Sequence, residues 1–173
     1  YNNALKYNTD ISCCGIAQKR IDGSISTLAD DKLKFFSKEQ LIKGFFDDPL
    51  IKETMYGPCN KIIKKELIKS HSFDTRFAIG EDLLFMFECL EMAENIVLEN
   101  KPMYQYIKRS GSATTSSFSE KRMHYIAVTD ILMNKCREKH SYAYEASMKW
   151  TYMHKLVIMR QLNHNIAVKK QYQ

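Results

Sequence analysis

One segment, residues 80–93, constrains the fold more than any other because it is apolar around most of a helix. Its sequence is GEDLLFMFECLEMA, in which apolar residues recur at the three- and four-residue spacing of a helix face and also fill most of the remaining circumference. Gly80 is predicted to be the N-cap, which places Glu81 and Asp82 in the first turn, where free N–H groups and the helix dipole favour carboxylates. We therefore expect a buried helix that begins with two acids at the edge of a core.

The composition is that of an ordinary globular protein with one core. The chain has 173 residues, of which 45% are hydrophobic and 27% are charged, and this length suits a single domain. No apolar run approaches the roughly 18 residues that a membrane span needs, and the first residues do not form a signal peptide. Because the sequence begins without Met, we expect a fragment of a longer polypeptide.

The cysteines and histidines follow no pattern of a metal site or a disulfide framework. Five cysteines are an odd number without C-x-x-C spacing, and the five histidines include no H-E-x-x-H pair. A reduced, cytosolic setting is therefore predicted, and no metal site is predicted within this chain. The adjacent acids Asp47 and Asp48 are interpreted as a turn and a cap before Pro49 rather than as metal ligands.

The basic charge is confined to the last third of the chain. Residues 121–173 contain ten Lys or Arg and three Asp or Glu, whereas residues 1–120 contain sixteen and seventeen, so the net charge of +6 arises entirely after residue 120. Such asymmetry is typical of a tail or a face that meets an acidic partner.

Local patterns predict a mixed α/β fold with a helical, basic end. A short buried strand is predicted at 10–16, and Asp22-Gly23 predicts a hairpin between 16–20 and 24–28. The remaining predictions are a helix from the capping box at Ser37, a helix at 60–70, strands at 95–99 and 102–108, a helix from the capping box at Ser117, and a last helix from about Tyr142.

Three segments together resemble a known family. They are YGPCNKIIKKELI at 56–68, FAIGEDLLF at 77–85 and YQYIKRSGSAT at 104–114. In this order and at these separations they resemble the second half of family 2 glycosyltransferases, the GT-A enzymes that build bacterial capsules, exopolysaccharides and lipopolysaccharide side chains. The resemblance implies that residues 1–118 are the C-terminal half of a GT-A, Rossmann-like catalytic domain, and that residues 119–173 form a basic helical tail.

The implied reaction is an inverting transfer of a sugar from a nucleotide-sugar to an acceptor hydroxyl. The family's E-D motif matches Glu81-Asp82, and the resemblance makes Asp82 the general base that takes the acceptor proton. Adjacent residues of a helix point about 100° apart, so Glu81 and Asp82 cannot form a face-to-face pair and Glu81 is expected to orient or cap. The alternative is that both acids only complement the helix dipole.

Other matched positions imply substrate contacts. Asn60 and Lys61 match an N-K pair that would shape the acceptor or donor pocket, the alternative being a cap and a solvated lysine. Lys108, Arg109 and Ser112 match a basic, Ser-bearing loop that suits a diphosphate leaving group, the alternative being a solvated loop. We expect Asp82 at the mouth of a cleft at the carboxyl edge of the sheet, with Arg109 within reach of it.

The donor-binding half of the family pattern is not in this sequence. No D-x-D motif occurs, so the divalent cation expected for the whole enzyme, Mg²⁺ or Mn²⁺, would be bound outside this chain, which is expected to be inactive alone. The implied partners of the whole enzyme are a nucleotide-sugar donor and a saccharide or lipid-linked acceptor. The predicted location is cytoplasmic, with the basic tail peripherally on the inner face of the cell membrane.

A different class of function also fits the basic end. A non-catalytic module could bind nucleic acid or an acidic protein through basic helices that carry interleaved aromatic residues. No nucleic acid is expected as a partner under the enzyme interpretation. Exposed sheet edges in a fragment of this kind favour a homo-oligomer.

Overall fold

A computed structural model describes residues 1–69, 71–108 and 121–171 of the chain, with side chains described as far as residue 163. The described part is a mixed α/β fold, which confirms the predicted class. Its elements in chain order are α1 (Asn2–Lys6), β1 (Ile11–Lys19), β2 (Ile25–Thr27), β3 (Leu33–Phe36), α2 (Lys38–Asp47), α3 (Pro49–Met55), β4 (Lys61–Ile63), α4 (Lys65–Lys69), α5 (Glu81–Met92), β5 (Ile96–Ile107), α6 (Arg122–Lys139) and α7 (Ser141–Gln171).

The sheet is built around β1 and β5, which are parallel neighbours. The strand order is β2-β1-β5-β3. On the edge of β1 that faces away from β5, β4 pairs with residues 11–13 and β2 pairs with residues 17–19. All pairs other than β1 with β5 are antiparallel. The predicted hairpin at Asp22-Gly23 is confirmed: Ala17 pairs with Thr27, and Gly23 has the positive φ of 84° that such a turn requires.

A bulge interrupts the ladder between β1 and β5. Cys14 pairs with Glu99 and Ile16 pairs with Tyr104. Four residues of β5, 100–103, therefore lie opposite the single residue Gly15 of β1. Gly15 lies opposite this bulge, where an added Cβ would come within 2.7 Å of the Lys101 carbonyl oxygen. The strands predicted separately at 95–99 and 102–108 are therefore one strand bent by a bulge.

One local prediction was wrong, and one strand had no prediction. The helix predicted at 60–70 is a strand, β4, followed by the one-turn helix α4. The open edge of β1 explains the difference, since Ile63 pairs with Ile11 and Lys61 with Cys13, and this tertiary pairing outweighs a weak helical pattern. Strand β3 was not predicted at all.

Capping patterns were read correctly. At Ser37 the capping box is formed: the Gln40 N–H donates to the Ser37 hydroxyl, and the Gln40 side chain accepts from the Ser37 N–H. Asp48 caps α3 by accepting from the N–H groups of Leu50 and Ile51 at 2.8 and 3.0 Å. The second capping box, at Ser117, lies outside the described residues.

Helix α5 lies at the centre of the core, as its apolar circumference predicts. Met86, Phe87 and Leu90 are fully buried. The basic helices pack on the same core: the Trp150 ring of α7 contacts the Phe46 ring of α2 at 5.5 Å between centroids, and Leu132 of α6 is fully buried. Within the described part of the chain, no helix is both long and apolar enough to cross a membrane. The division of the chain at 118/119 stays a prediction.

Candidate active site

A cleft of about 630 Å³ opens at the carboxyl ends of the two parallel strands. Its walls come from the last parts of β1 and β5, from α3, and from the first turns of α5 and α6. Gln18, Tyr56, Asp82, Tyr106 and Tyr125 are among its lining residues, and we call it the Asp82 cleft. Asp82 therefore lies in the kind of position expected from the sequence, whereas its role as a base stays a prediction.

The environment of Asp82 makes its carboxylate more basic than an ordinary aspartate. The side chain is half-buried, and burial raises the pKa of Asp82 above its usual value. The charge of Glu81 raises this pKa further, while the hydrogen bond that Asp82 Oδ1 accepts from the Leu83 N–H, at 2.8 Å, opposes the shift. A fixed carboxylate with a raised pKa and access to a cleft is suited to accept a proton.

Gly80 determines how the start of α5 meets α6. It is the N-cap of α5, with φ of +94°, a conformation that favours glycine. A Cβ at this position would come within 3.2 Å of the Tyr125 ring and 3.3 Å of a Val128 methyl group. The missing side chain thus lets α6 pack directly on the first turn of α5 and brings Tyr125 beside Asp82.

Two polar side chains in the cleft walls are hydrogen-bonded to other residues of the protein. The Tyr56 hydroxyl donates to the Phe45 carbonyl oxygen at 2.9 Å, and Gln18 Nε2 donates to Glu53 Oε1 at 2.9 Å. Burial raises the pKa of Tyr125, and the nearby charge of Asp82 adds to this increase. Tyr125 therefore stays a neutral phenol near physiological pH, next to the Asp82 carboxylate.

Glu81 is separated from Asp82 by the geometry of the helix. Both acids lie in the first turn of α5, as predicted. Among the described residues that line the Asp82 cleft, Glu81 does not occur. The two carboxylates therefore do not face this cleft together, and the division between one reactive and one supporting acid stays a prediction.

Asn60 and Lys61 line a neighbouring hollow of about 450 Å³ rather than the Asp82 cleft, and Cys59 borders both. Asn60 is buried, and its Nδ2 donates to the Cys14 carbonyl oxygen at 2.6 Å. Lys61 Nζ donates to the carbonyl oxygens of Gly57, at 2.5 Å, and Thr54. Burial lowers the pKa of Lys61. The ammonium group of Lys61 is thus bound to other groups of the protein rather than solvated.

Lys108 directly follows the carboxyl end of β5. Its N–H donates to the Lys19 carbonyl oxygen at 2.9 Å, and its side chain lines a shallow hollow of about 430 Å³ with Arg20 and Asp22. Lys108 is not among the described residues that line the Asp82 cleft. Arg109 and Ser112 lie outside the described residues, so their expected proximity to the cleft stays a prediction.

Several residues of the cleft were missed by sequence reasoning. Gln18, Glu53 and Tyr125 were not singled out as site residues. Tyr106 was not predicted as a site residue either, yet it is 40% exposed and lines the cleft. The alternation of residues in β5 was an available signal, because it places Tyr106 on one face of the strand beside the carboxyl end of the sheet.

No candidate metal centre is formed by the residues described, since no group of three or more His, Cys, Asp or Glu side chains is arranged to hold an ion. The divalent cation stays an expectation for the whole enzyme. Comparison of the chain with protein-family models and with curated proteins gives no match.

Proposed function

We propose that this chain is the acceptor-side part of an inverting, GT-A type glycosyltransferase of surface-polysaccharide synthesis, with Asp82 as the general base. The observation that supports the proposal most is the position of Asp82, a half-buried carboxylate of raised pKa in a cleft at the carboxyl ends of β1 and β5. Ligand sites of open α/β sheets lie at this edge. The cleft volume, about 630 Å³, also falls within the range of roughly 300–1,000 Å³ that is usual for small-ligand sites.

The proposed step is a single displacement at the anomeric carbon of the donor sugar. The acceptor oxygen forms a bond to this carbon while the bond from the carbon to the phosphate oxygen breaks, and a nucleoside diphosphate leaves. Asp82 takes the proton from the acceptor hydroxyl as the new bond forms. Burial supports this role, because it raises the affinity of the carboxylate for a proton.

The tyrosines of the cleft would contact the acceptor. Tyr106 exposes part of its ring, and aromatic rings offer apolar faces beside polar hydroxyls. Tyr56 and Tyr125 are more deeply buried, and they fix the wall against which a saccharide would pack. In this proposal the acceptor is a saccharide, free or lipid-linked, and the donor is bound by residues outside this chain.

The test uses the complete polypeptide that contains this chain. Candidate nucleotide-sugars are supplied with saccharide acceptors, and release of the nucleoside diphosphate is followed. The Asp82→Asn variant is expected to lose about 10²- to 10⁴-fold in kcat, the usual contribution of a general base, while donor affinity and thermal midpoint stay close to those of the unchanged protein.

Glu81→Gln is the matched control, because it removes the neighbouring charge of the same helix turn without removing the proposed base. It is expected to retain turnover within about tenfold of the unchanged enzyme. Full turnover by Asp82→Asn, or an equal loss in both variants, would contradict the assignment of Asp82.

A further inference from the structure

Helix α7 carries an apolar stripe on the side that faces away from the core. Tyr152, Leu156 and Met159 are 55%, 49% and 58% exposed, and their spacing of four and three residues places them on one helix face. On the other side of the helix, Trp150 and Ile158 are only 7% and 8% exposed. We call the exposed set of three residues the α7 stripe.

Basic residues flank the α7 stripe on both sides. At 100° per residue, Lys149 and Arg160 fall beside it in one direction and Lys155 in the other. Residues 146–173 contain five Lys or Arg and no Asp or Glu. An apolar face with basic flanks is the arrangement of helices that lie in a membrane interface, where long basic side chains reach the lipid headgroups.

Nearby acids offset part of this charge. Lys155 Nζ pairs with Asp130 Oδ1 of α6 at 2.5 Å and lies over the Tyr152 ring at 5.9 Å. Lys149 pairs with Glu145 at 2.5 Å, but both side chains are at least 70% exposed, so water screens this pair strongly. The face as a whole therefore keeps a positive character, to which Arg160 contributes most directly.

We propose that the α7 stripe is a peripheral docking surface for an anionic lipid membrane. Charge complementarity favours this occupant over a second copy of the chain, because two such stripes packed together would bring like charges into contact. Apolar side chains would enter the headgroup boundary and the flanking basic residues would contact anionic headgroups. This inference does not rest on the proposed sugar transfer.

The test is sedimentation of the 173-residue chain with lipid vesicles. Binding is expected to vesicles of phosphatidylcholine with about one third phosphatidylglycerol, to be absent with phosphatidylcholine alone, and to weaken as salt rises. The double variant Leu156→Gln/Met159→Gln is expected to bind at least about tenfold more weakly, and Arg160→Gln about fivefold more weakly.

Met103→Gln is the matched control, because Met103 is also an exposed methionine but lies on β5. It is expected to bind vesicles as the unchanged chain does. Thermal unfolding checks each variant, and equal midpoints are expected because all substituted side chains are exposed.

Three results would overturn the inference. The first is failure to bind anionic vesicles, or equal binding to neutral ones. The second is a dimer in solution that the double variant abolishes, which would make a second copy the occupant. The third is binding that requires Arg160 but not Leu156 and Met159, with nucleic acid competing for it, which would make the surface an electrostatic nucleic-acid site. None of these measurements uses sugar transfer, so failure here is distinct from failure of the proposed function.

Discussion

At the scale of single residues, the surroundings of Asp82 disfavour the ionised form of its carboxyl group. Burial and the charge of Glu81 both raise its pKa. The folded state therefore binds a proton at Asp82 more tightly than the unfolded state does, and ionisation of this group lowers the free energy of unfolding. A carboxylate kept at such a position at the expense of stability is typical of functional sites.

A stability measurement tests this directly. Well below pH 3.9 the carboxyl is protonated in both states, and its unfavourable contribution develops as pH rises through its unfolded pKa of about 3.9 and then its raised folded pKa. At pH 7 we expect Asp82→Asn to leave the free energy of unfolding unchanged or to raise it by up to about 1 kcal/mol. Urea denaturation at pH 7 and at pH 3.5 measures the difference. A variant that is clearly less stable at pH 7 would show that Asp82 is a structural cap.

The surroundings of Asp82 were only partly predictable from the sequence. A glycine before two acids and an apolar helix is a local pattern, so the place of Asp82 in the first turn could be read directly. Tyr125 lies 43 residues away in the chain, and Gln18 meets Glu53 across 35 residues. Such neighbours depend on packing of distant elements, for which one sequence contains no local signal.

At the scale of elements, the junction of α2 and α3 is organised by one carboxylate. Asp48 ends α2 and caps α3, and Pro49 follows at the first helical position. Gly44 lies where an added Cβ would clash with Ile51 Cδ1, so the two helices meet closely at this corner. The turn chemistry of this junction was predictable because it is contained within a few residues.

The cap at Asp48 gives a second stability prediction. Asp48→Ala removes the acceptor of two N–H groups and is expected to lower the free energy of unfolding by about 1 kcal/mol. Asp47→Ala is the control, since Asp47 is exposed at the C-terminal end of α2, where the helix dipole disfavours a carboxylate. Chemical denaturation measures both, and equal losses would contradict the capping role.

Elements whose form depends on distant partners were predicted less well. Residues 61–69 contain enough apolar and basic residues at helical spacing to read as a helix, yet Lys61–Ile63 form a strand because β1 offers an edge there. The three ammonium hydrogen bonds of Lys61, including one to Asn60 Oδ1 at 2.6 Å, hold this strand to the end of α3. Non-local contacts of this kind override local propensity.

At the scale of the whole molecule, a charged network joins the central helix to the basic helices. Glu91 of α5 accepts hydrogen bonds from Lys135 Nζ at 2.8 Å and from His140 Nε2 at 2.9 Å. Burial alone would raise the pKa of Glu91, but these hydrogen bonds and the charges of Lys135 and His140 outweigh it and lower the pKa. The basic end of the chain is thereby attached to the core through polar contacts as well as through Trp150.

The network predicts a stability that depends on pH. Because the folded pKa of Glu91 is lowered, its contribution is present above the unfolded value of about 4.3 and is lost as pH falls through the folded value. Glu91→Gln is expected to lower the free energy of unfolding by about 1–2 kcal/mol at pH 7, and the difference should shrink below pH 4. Glu94→Gln is the control, because Glu94 is exposed. A Glu91→Gln effect that is the same at both pH values would contradict the network.

The bulge between β1 and β5 makes the number of residues in 100–103 decide which face of the sheet the following residues occupy. Side chains of a strand alternate between the two faces of a sheet, so deleting one residue from 100–103 would turn Tyr106 to the opposite face and remove part of one wall of the Asp82 cleft. Deleting two would keep Tyr106 on the face of the cleft but would shorten the bulge opposite Gly15. Changes of chain length at this point are thus a means of reshaping the cleft without replacing any residue that lines it.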